Sequence, residues 1–213
     1  MQVNKIRNRG FLFTFYQPGW NLNIYLITGK KYNYVIDTGL GSFSVAPILN
    51  YLKESLKQTV VINTHYHWDH IWGNSFFQDS VIVSHDLCPN MIQTNWDEMF
   101  HKNLQHCYGD VRMRLPDLIF KEELYFPEDK IRLFYSPGHT IDSISILDEN
   151  EKVLILGDNI GDSMEELLPS LQCSPEIYRD TLKKYLQLNF DTCISGHNQI
   201  IDKDVISKIL DMI

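Results

Sequence analysis

Long hydrophobic runs are missing from this sequence. Nowhere do about eighteen consecutive apolar residues occur, the length a membrane-crossing helix requires, so no membrane span is expected. Cysteine is sparse. Cys88, Cys107, Cys173 and Cys193 form neither a Cys-x-x-Cys pair nor an even framework, which argues against a disulfide scaffold or a thiolate metal knuckle. A secretory leader is not expected either. The apolar stretch Phe11 to Tyr16 is short, interrupted by Thr14, and followed by Gln17-Pro18-Gly19 rather than a small-residue cleavage site. That stretch reads as a first strand, and a cytoplasmic protein with reduced thiols is the expectation. Positive charge is in deficit, with 19 Lys and Arg against 27 Asp and Glu and a net charge of −8. Beyond Lys5, Arg7 and Arg9 no basic cluster exists, so nucleic acid is not an expected partner.

What the chain does have is aromatic and aliphatic content, 12% and 44% in the aromatic and hydrophobic classes, enough for a well-buried core. At 213 residues a single domain spanning 1–213 is expected. β-Branched and aromatic runs at Phe11–Tyr16, Asn23–Thr28 and Tyr32–Ile36 are separated by Gly, Pro and Asn, with Gly29-Lys30-Lys31 as a tight hairpin. Val45 to Leu56 carries helical spacing in Ile48, Leu49, Leu52 and Leu56. Further strands are predicted over Thr59–Asn63, Ser80–Ser84, Ile131–Tyr135, Ser143–Leu147, Val153–Leu156 and Asp191–Ile194. Pro175–Leu188 reads as a helix capped by Ser174, and Asp202–Ile213 as a final helix capped by Asp202. Asp86 to about Leu118, rich in Met and aromatic residues, reads as one or two helices. They either overhang the site or pack on the sheet.

The densest chemistry lies in Thr64-His65-Tyr66-His67-Trp68-Asp69-His70. Three imidazoles and a carboxylate crowd together there, and each is a ligand for a borderline transition metal. Residues two apart in an extended segment point the same way, so His65 and His67 can share one ion. Asp69 and His70 begin a helical turn and can face another. Three more candidates each follow a predicted strand: His139 in Ser136-Pro137-Gly138-His139, Asp158 in Leu156-Gly157-Asp158, and His197 in Ser195-Gly196-His197. Strand ends along one sheet edge are where α/β proteins gather site residues. His85, His101 and His106 lack a partner motif and are read as non-ligands.

This pattern resembles the metallo-β-lactamase-fold superfamily, whose signature is His-x-His-x-Asp-His followed by separated His, Asp and His. An early Asp after a strand also matches: Asp37, in Val35-Ile36-Asp37-Thr38-Gly39. The resemblance implies a four-layer αβ/βα sandwich. It also implies two divalent metal ions, zinc first, with iron or manganese as alternatives. By resemblance His65, His67 and His139 hold one ion, Asp69, His70 and His197 the other, and Asp158 bridges them. Asp37 pins the His-rich loop from behind. The implied chemistry is hydrolysis by a water that two metals activate, with Asp69 and Asp158 relaying the proton.

Substrate choice is narrowed by departures from particular branches. Asp158 stands where Cys-type β-lactamases carry Cys, and Gly161 where acyl-homoserine lactonases carry Tyr. His67 stands where flavodiiron proteins carry Glu, and no glyoxalase-type helical domain is expected beyond His197. A small ester, thioester, lactone or amide remains. The alternatives are an iron-dependent oxidoreductase, a phosphodiesterase, or a non-catalytic metal-binding module.

Overall fold

The computed structural model describes residues 1–213. The first half builds a seven-stranded sheet: β1 (Gln2–Ile6), β2 (Gly10–Gln17), β3 (Trp20–Thr28), β4 (Asn33–Ile36), β5 (Thr59–Ile62), β6 (Val81–His85) and β7 (Leu118–Phe120), in that spatial order. β1 to β4 form an antiparallel meander, and β4 to β7 run parallel. Between the parallel strands lie helices α1 (Ser42–Leu52), α2 (Trp68–Ile71) and α3 (Cys88–Asn103). The second half contributes β8 (Glu123–Phe126), β9 (Ile131–Tyr135), β10 (Ile144–Asp148), β11 (Val153–Ile155), β12 (Thr192–Ile194) and β13 (Ile201–Asp202). They make a six-stranded sheet in the order β13-β12-β11-β10-β9-β8, flanked by α4 (Pro175–Leu186) and α5 (Asp204–Leu210).

The strands alternate, yet both sets of side chains are apolar because both faces are covered. On β4, Tyr34 and Ile36 face the second sheet, while Val35 faces the helix layer. Seventeen buried residues from the two sheets fill the space between them, including Ile27, Ile62, Val83, Leu133, Ile146 and Ile155. Val45 and Ile48 of α1 cover the outer face of the first sheet, and Tyr178, Leu182 and Ile206 of α4 and α5 that of the second. The result is the four-layer αβ/βα sandwich. No helix is long and apolar enough to cross a membrane.

At the end where β4, β9, β11 and β12 begin, a polar clasp joins the sheets. Arg9 donates to both Asp148 oxygens, at 2.9 and 2.6 Å, and to the Asp129 carbonyl at 2.7 Å. The Asp129 carboxylate accepts from the backbone of Lys30, Lys31 and Tyr32 and, at 2.8 Å, from the Tyr34 hydroxyl.

Several boundaries differ from the sequence reading. The strand at Phe11–Tyr16 is second, because the mostly exposed Gln2–Ile6 pairs with it as an edge. α1 ends at Leu52; Leu56, counted in its apolar stripe, is fully exposed. Asp202 does not cap the last helix. It pairs with Thr192 in β13, and the helix starts at Asp204. Ser174 does cap α4, its hydroxyl accepting from the Ile177 amide. In 86–118 the structure has α3, a 3₁₀ turn at Leu104–His106, and irregular chain beyond them up to β7.

Candidate metal centre

β4, β5, β9, β11 and β12 deliver their C-terminal ends to one edge of the sandwich, opposite the clasp, and every candidate from the His-rich loop onward lies there. After β5 the chain bends through Thr64, His65 and Tyr66, is extended at His67, whose backbone angles are −64° and 149°, and then turns into α2. That change in conformation puts His65 and His67 on one side and Asp69 and His70 on the other. His139 follows β9, Asp158 follows β11, and His197 follows β12. Two groups result: His65, His67, His139 and Asp158, and Asp69, His70 and His197, each with ligand-type atoms within 4.8 Å of one another.

Asp158 lies between the groups. Its Oδ2 is 3.2 Å from both His70 Nε2 and His197 Nε2, 3.7 Å from His65 Nε2 and 3.8 Å from His139 Nε2. Asp69 Oδ2 is 3.2 Å from His197 Nε2. In the first group, His67 Nδ1 lies 3.1 Å from His65 Nε2 and 3.0 Å from His139 Nε2. Gly196 gives the carboxylate room: a Cβ there would stand 2.2 Å from Asp158 Oδ1.

The outward ring nitrogens decide which atoms face in. His70 Nδ1 donates to Asp37 Oδ2 at 2.8 Å, His139 Nδ1 to the Ser170 carbonyl at 2.7 Å, and His197 Nδ1 to the Asn21 carbonyl at 2.7 Å. His65 Nδ1 meets the Thr64 hydroxyl at 3.1 Å, and that hydroxyl donates onward to Asp37 Oδ2 at 2.8 Å. Asp37 also accepts the Thr64 amide at 2.8 Å. Four imidazoles thus hold a proton on the outside and aim Nε2 inward, the arrangement of a metal-ligating histidine.

The charges agree with that arrangement. Burial, reinforced by the neighbouring imidazoles, drives His65 well below its ordinary value and takes His67 to about 4, so both are neutral. Burial also opposes charge on His70 and His197, but Asp158, with Asp37 and Asp69 adding for His70 and Asp69 for His197, outweighs it and raises both. Asp158 and Asp69 are held below the usual carboxylate range despite burial, by His197 and His70. Inward lone pairs, two ionised carboxylates and a buried Asp158 Oδ1 without a hydrogen-bond partner fit a cation, whose binding would displace the protons that otherwise collect on His70 and His197.

The cluster opens onto a cavity of about 280 Å³. Its wall beyond the cluster is Trp68 and the segment 161–170, including Asp162, Glu166, Leu168 and Ser170. Trp20 stands edge-on to both Trp68 and His197. α3 borders only an adjoining cavity, through Asn95, Glu98, Met99, Lys102 and Asn103. Trp96 and Phe100 pack instead around Trp72 and Ile92. His106 stacks on Trp68, and His85 stacks on Tyr135 and contacts the Lys121 carbonyl; neither enters a ligand group. The carbonyls of Asn21 and Ser170 had no sequence signal, because carbonyls have no residue identity.

The profile of the metallo-beta-lactamase superfamily matches residues 18–197. A Methanocaldococcus jannaschii protein named probable metallo-hydrolase is 34% identical over 157 residues, covering 67% of this chain and 68% of that one. An acyl-coenzyme A thioesterase of Homo sapiens is 26% identical over 221 residues, covering 92% and 74%. A metallo-beta-lactamase from Pontibacter korlensis superposes with a TM-score of 0.80 at 19% identity, over 99% of this chain and 97% of that one. With a family match running from the β2–β3 turn to the last clustered histidine, the chain belongs to the metallo-beta-lactamase superfamily and is a metal-dependent hydrolase.

Proposed function

We propose that this chain hydrolyses a small ester, thioester, lactone or amide with two zinc ions held between its sheets. The observation that carries this reading is the convergence of inward-facing imidazole nitrogens and ionised carboxylates around Asp158. His65, His67 and His139 hold one ion, Asp69, His70 and His197 the second, and Asp158 serves both. When bound, two such ions acidify a shared water and polarise the scissile carbonyl. Asp69 and Asp158, both lining the cavity, carry the proton from the attacking water to the leaving group. Asp37 keeps His65 and His70 in the ligating tautomer through its bonds to Thr64 and His70.

The cavity limits the substrate. Its volume of about 280 Å³ is at the small end for ligand sites. Its wall carries Asp162 and Glu166 and no Lys or Arg, so away from the ions no side-chain cation is placed to recognise a carboxylated or phosphorylated acyl group, and an uncharged one is favoured. The human relative's thioesterase activity makes thioesters the first compounds to try. We read residues 1–213 as one domain, because both halves share the core between the sheets. The four unpaired cysteines accord with a reducing, cytoplasmic location.

The test is elemental analysis of the purified protein, followed by a hydrolysis screen of uncharged thioesters, esters, lactones and amides with zinc, manganese and iron. Two equivalents of zinc per chain and turnover of one uncharged class are expected. Iron with oxygen consumption and no hydrolysis would replace the reading with a redox one.

A further inference from the structure

Asn159, the residue after Asp158, is fully buried and uses its whole amide. Its Oδ1 accepts the His139 backbone N–H at 2.9 Å. Its Nδ2 donates to the Ser136 carbonyl at 2.7 Å and to the Tyr185 hydroxyl at 2.9 Å. Its own carbonyl accepts the Tyr178 hydroxyl at 2.8 Å. One side chain therefore ties the loop after β11, which carries Asp158, to the loop after β9, which carries His139, and fastens both to α4. The packing is close enough to dictate sequence: a Cβ on Gly138 would lie 2.6 Å from Asn159 Oδ1 and 2.6 Å from the Tyr178 ring. Tyr185 extends the network to Ser145 at 2.7 Å, and Thr181 holds the Pro137 carbonyl at 2.7 Å.

We infer that Asn159 is a positioning residue that sets His139 against His65, His67 and Asp158. This rests on the metal reading above. A fully satisfied buried polar network rigidifies the backbone it holds, and an imidazole on that backbone inherits its placement. The other group is anchored separately. The Asn23 side chain donates to the Ser195 and Asn198 carbonyls at 3.0 and 2.7 Å, on either side of His197. The structure thus gives each half of the cluster its own asparagine.

The two asparagines make the test differential. Zn²⁺ is titrated calorimetrically into the metal-free full-length chain, and the visible bands of the Co²⁺-loaded protein are recorded. Asn159→Ala should weaken the step at His65, His67 and His139 by about 10–100-fold and shift the cobalt bands, with a smaller loss at the other step through the shared Asp158. Asn23→Ala should weaken the opposite step. Tyr185→Phe, which removes one hydroxyl and keeps the ring, should weaken the same step as Asn159→Ala by a smaller factor. It decides the matter if Asn159→Ala does not fold. Unchanged affinities, or an equal loss at both steps in Asn159→Ala, would overturn the inference, the latter because it marks a merely structural amide. A wild-type chain that takes up no zinc would instead overturn the metal reading itself.

Discussion

Asp37→Asn is the sharpest perturbation available. The change keeps size and shape. It also suits the backbone, since residue 37 has φ of 62° and Asn is among the few residues that tolerate that region. Three donors converge on the native carboxylate: the Thr64 amide on Oδ1, and the Thr64 hydroxyl and His70 Nδ1 on Oδ2, all at 2.8 Å. An amide has one oxygen, so in either orientation its NH₂ confronts at least one buried donor. An unsatisfied buried donor costs about 1–3 kcal/mol, and bonds to a charged acceptor lose about half their strength when the charge goes. The total is roughly 2–4 kcal/mol, which for a chain of this size lowers the melting temperature by about 4–16 °C. Metal affinity should fall about 10–100-fold, because His70 gains by moving its proton to Nε2, the atom that faces the cluster. Calorimetric melting with and without zinc measures both effects. Thr64→Val, which removes only the hydroxyl between His65 and Asp37, should give a smaller loss of the same kind. A melting temperature within about 2 °C of wild type together with unchanged zinc affinity would refute the tautomer argument.

Other outcomes follow from the same geometry. Asp158→Ala should keep the fold but leave less than about a tenth of the hydrolytic rate, because nothing else stands between the two groups; a variant faster than that would remove Asp158 from its shared role. Trp96→Ala, at a partly buried ring, should cost less stability than the loss of a fully buried aromatic, about 3–5 kcal/mol, and leave substrate preference unchanged, whereas Met99→Ala should alter the Michaelis constant of a bulky acyl substrate. The reverse pattern would make α3 a lid. Burial raises the fully buried Asp142 carboxyl from 3.8 to about 6. Because the folded value is the higher one, its stabilising contribution is complete below about pH 4 and is lost as pH rises through about 6. The stability of Asp142→Asn relative to wild type should therefore improve by on the order of 2–3 kcal/mol between pH 4 and pH 8. Equal gains at both pH values would contradict this. Chelation should lower the melting point by about 11–22 °C relative to protein with both sites in zinc at a hundred times their dissociation constants, and an unmoved melting curve would show that zinc does not bind the folded state.

The parts that the sequence made legible are those in which side-chain identity and local geometry coincide. The division of His65 and His67 from Asp69 and His70 follows from their spacing, and the strands before His139, Asp158 and His197 are strongly apolar because both sheet faces are covered. The peripheral strands were harder to see. Gln2–Ile6 has few buried side chains, and Ile201–Asp202 is two residues long, so neither shows an alternation. Asp202 looked like a helix cap because capping chemistry and edge pairing use the same residue type. The Met- and aromatic-rich stretch at 86–118 could be a lid or a packing helix; α3 mostly packs, and the cavity wall is the aperiodic segment 161–170. The asparagines that hold the cluster, Asn23 and Asn159, lie beside informative residues, but their role is in backbone partners that no pattern of side chains encodes.

The clasp of Arg9, Asp129 and Asp148 has a consequence for how the molecule would come apart. It binds the two sheets at one end, while the other end is tied by Asn23 and His197, whose side chains reach backbone carbonyls of the opposite half, as well as by the seven clustered side chains. Stripping the ions would leave hydrogen bonds between the sheets at both ends, so the loss would stay local to the clustered residues and would not part the halves. A demetallated molecule of this kind keeps its halves in register through the shared core. Proteolytic nicking after demetallation would then begin in the loops that carry the clustered residues and spare the turns around Lys30 and Asp129.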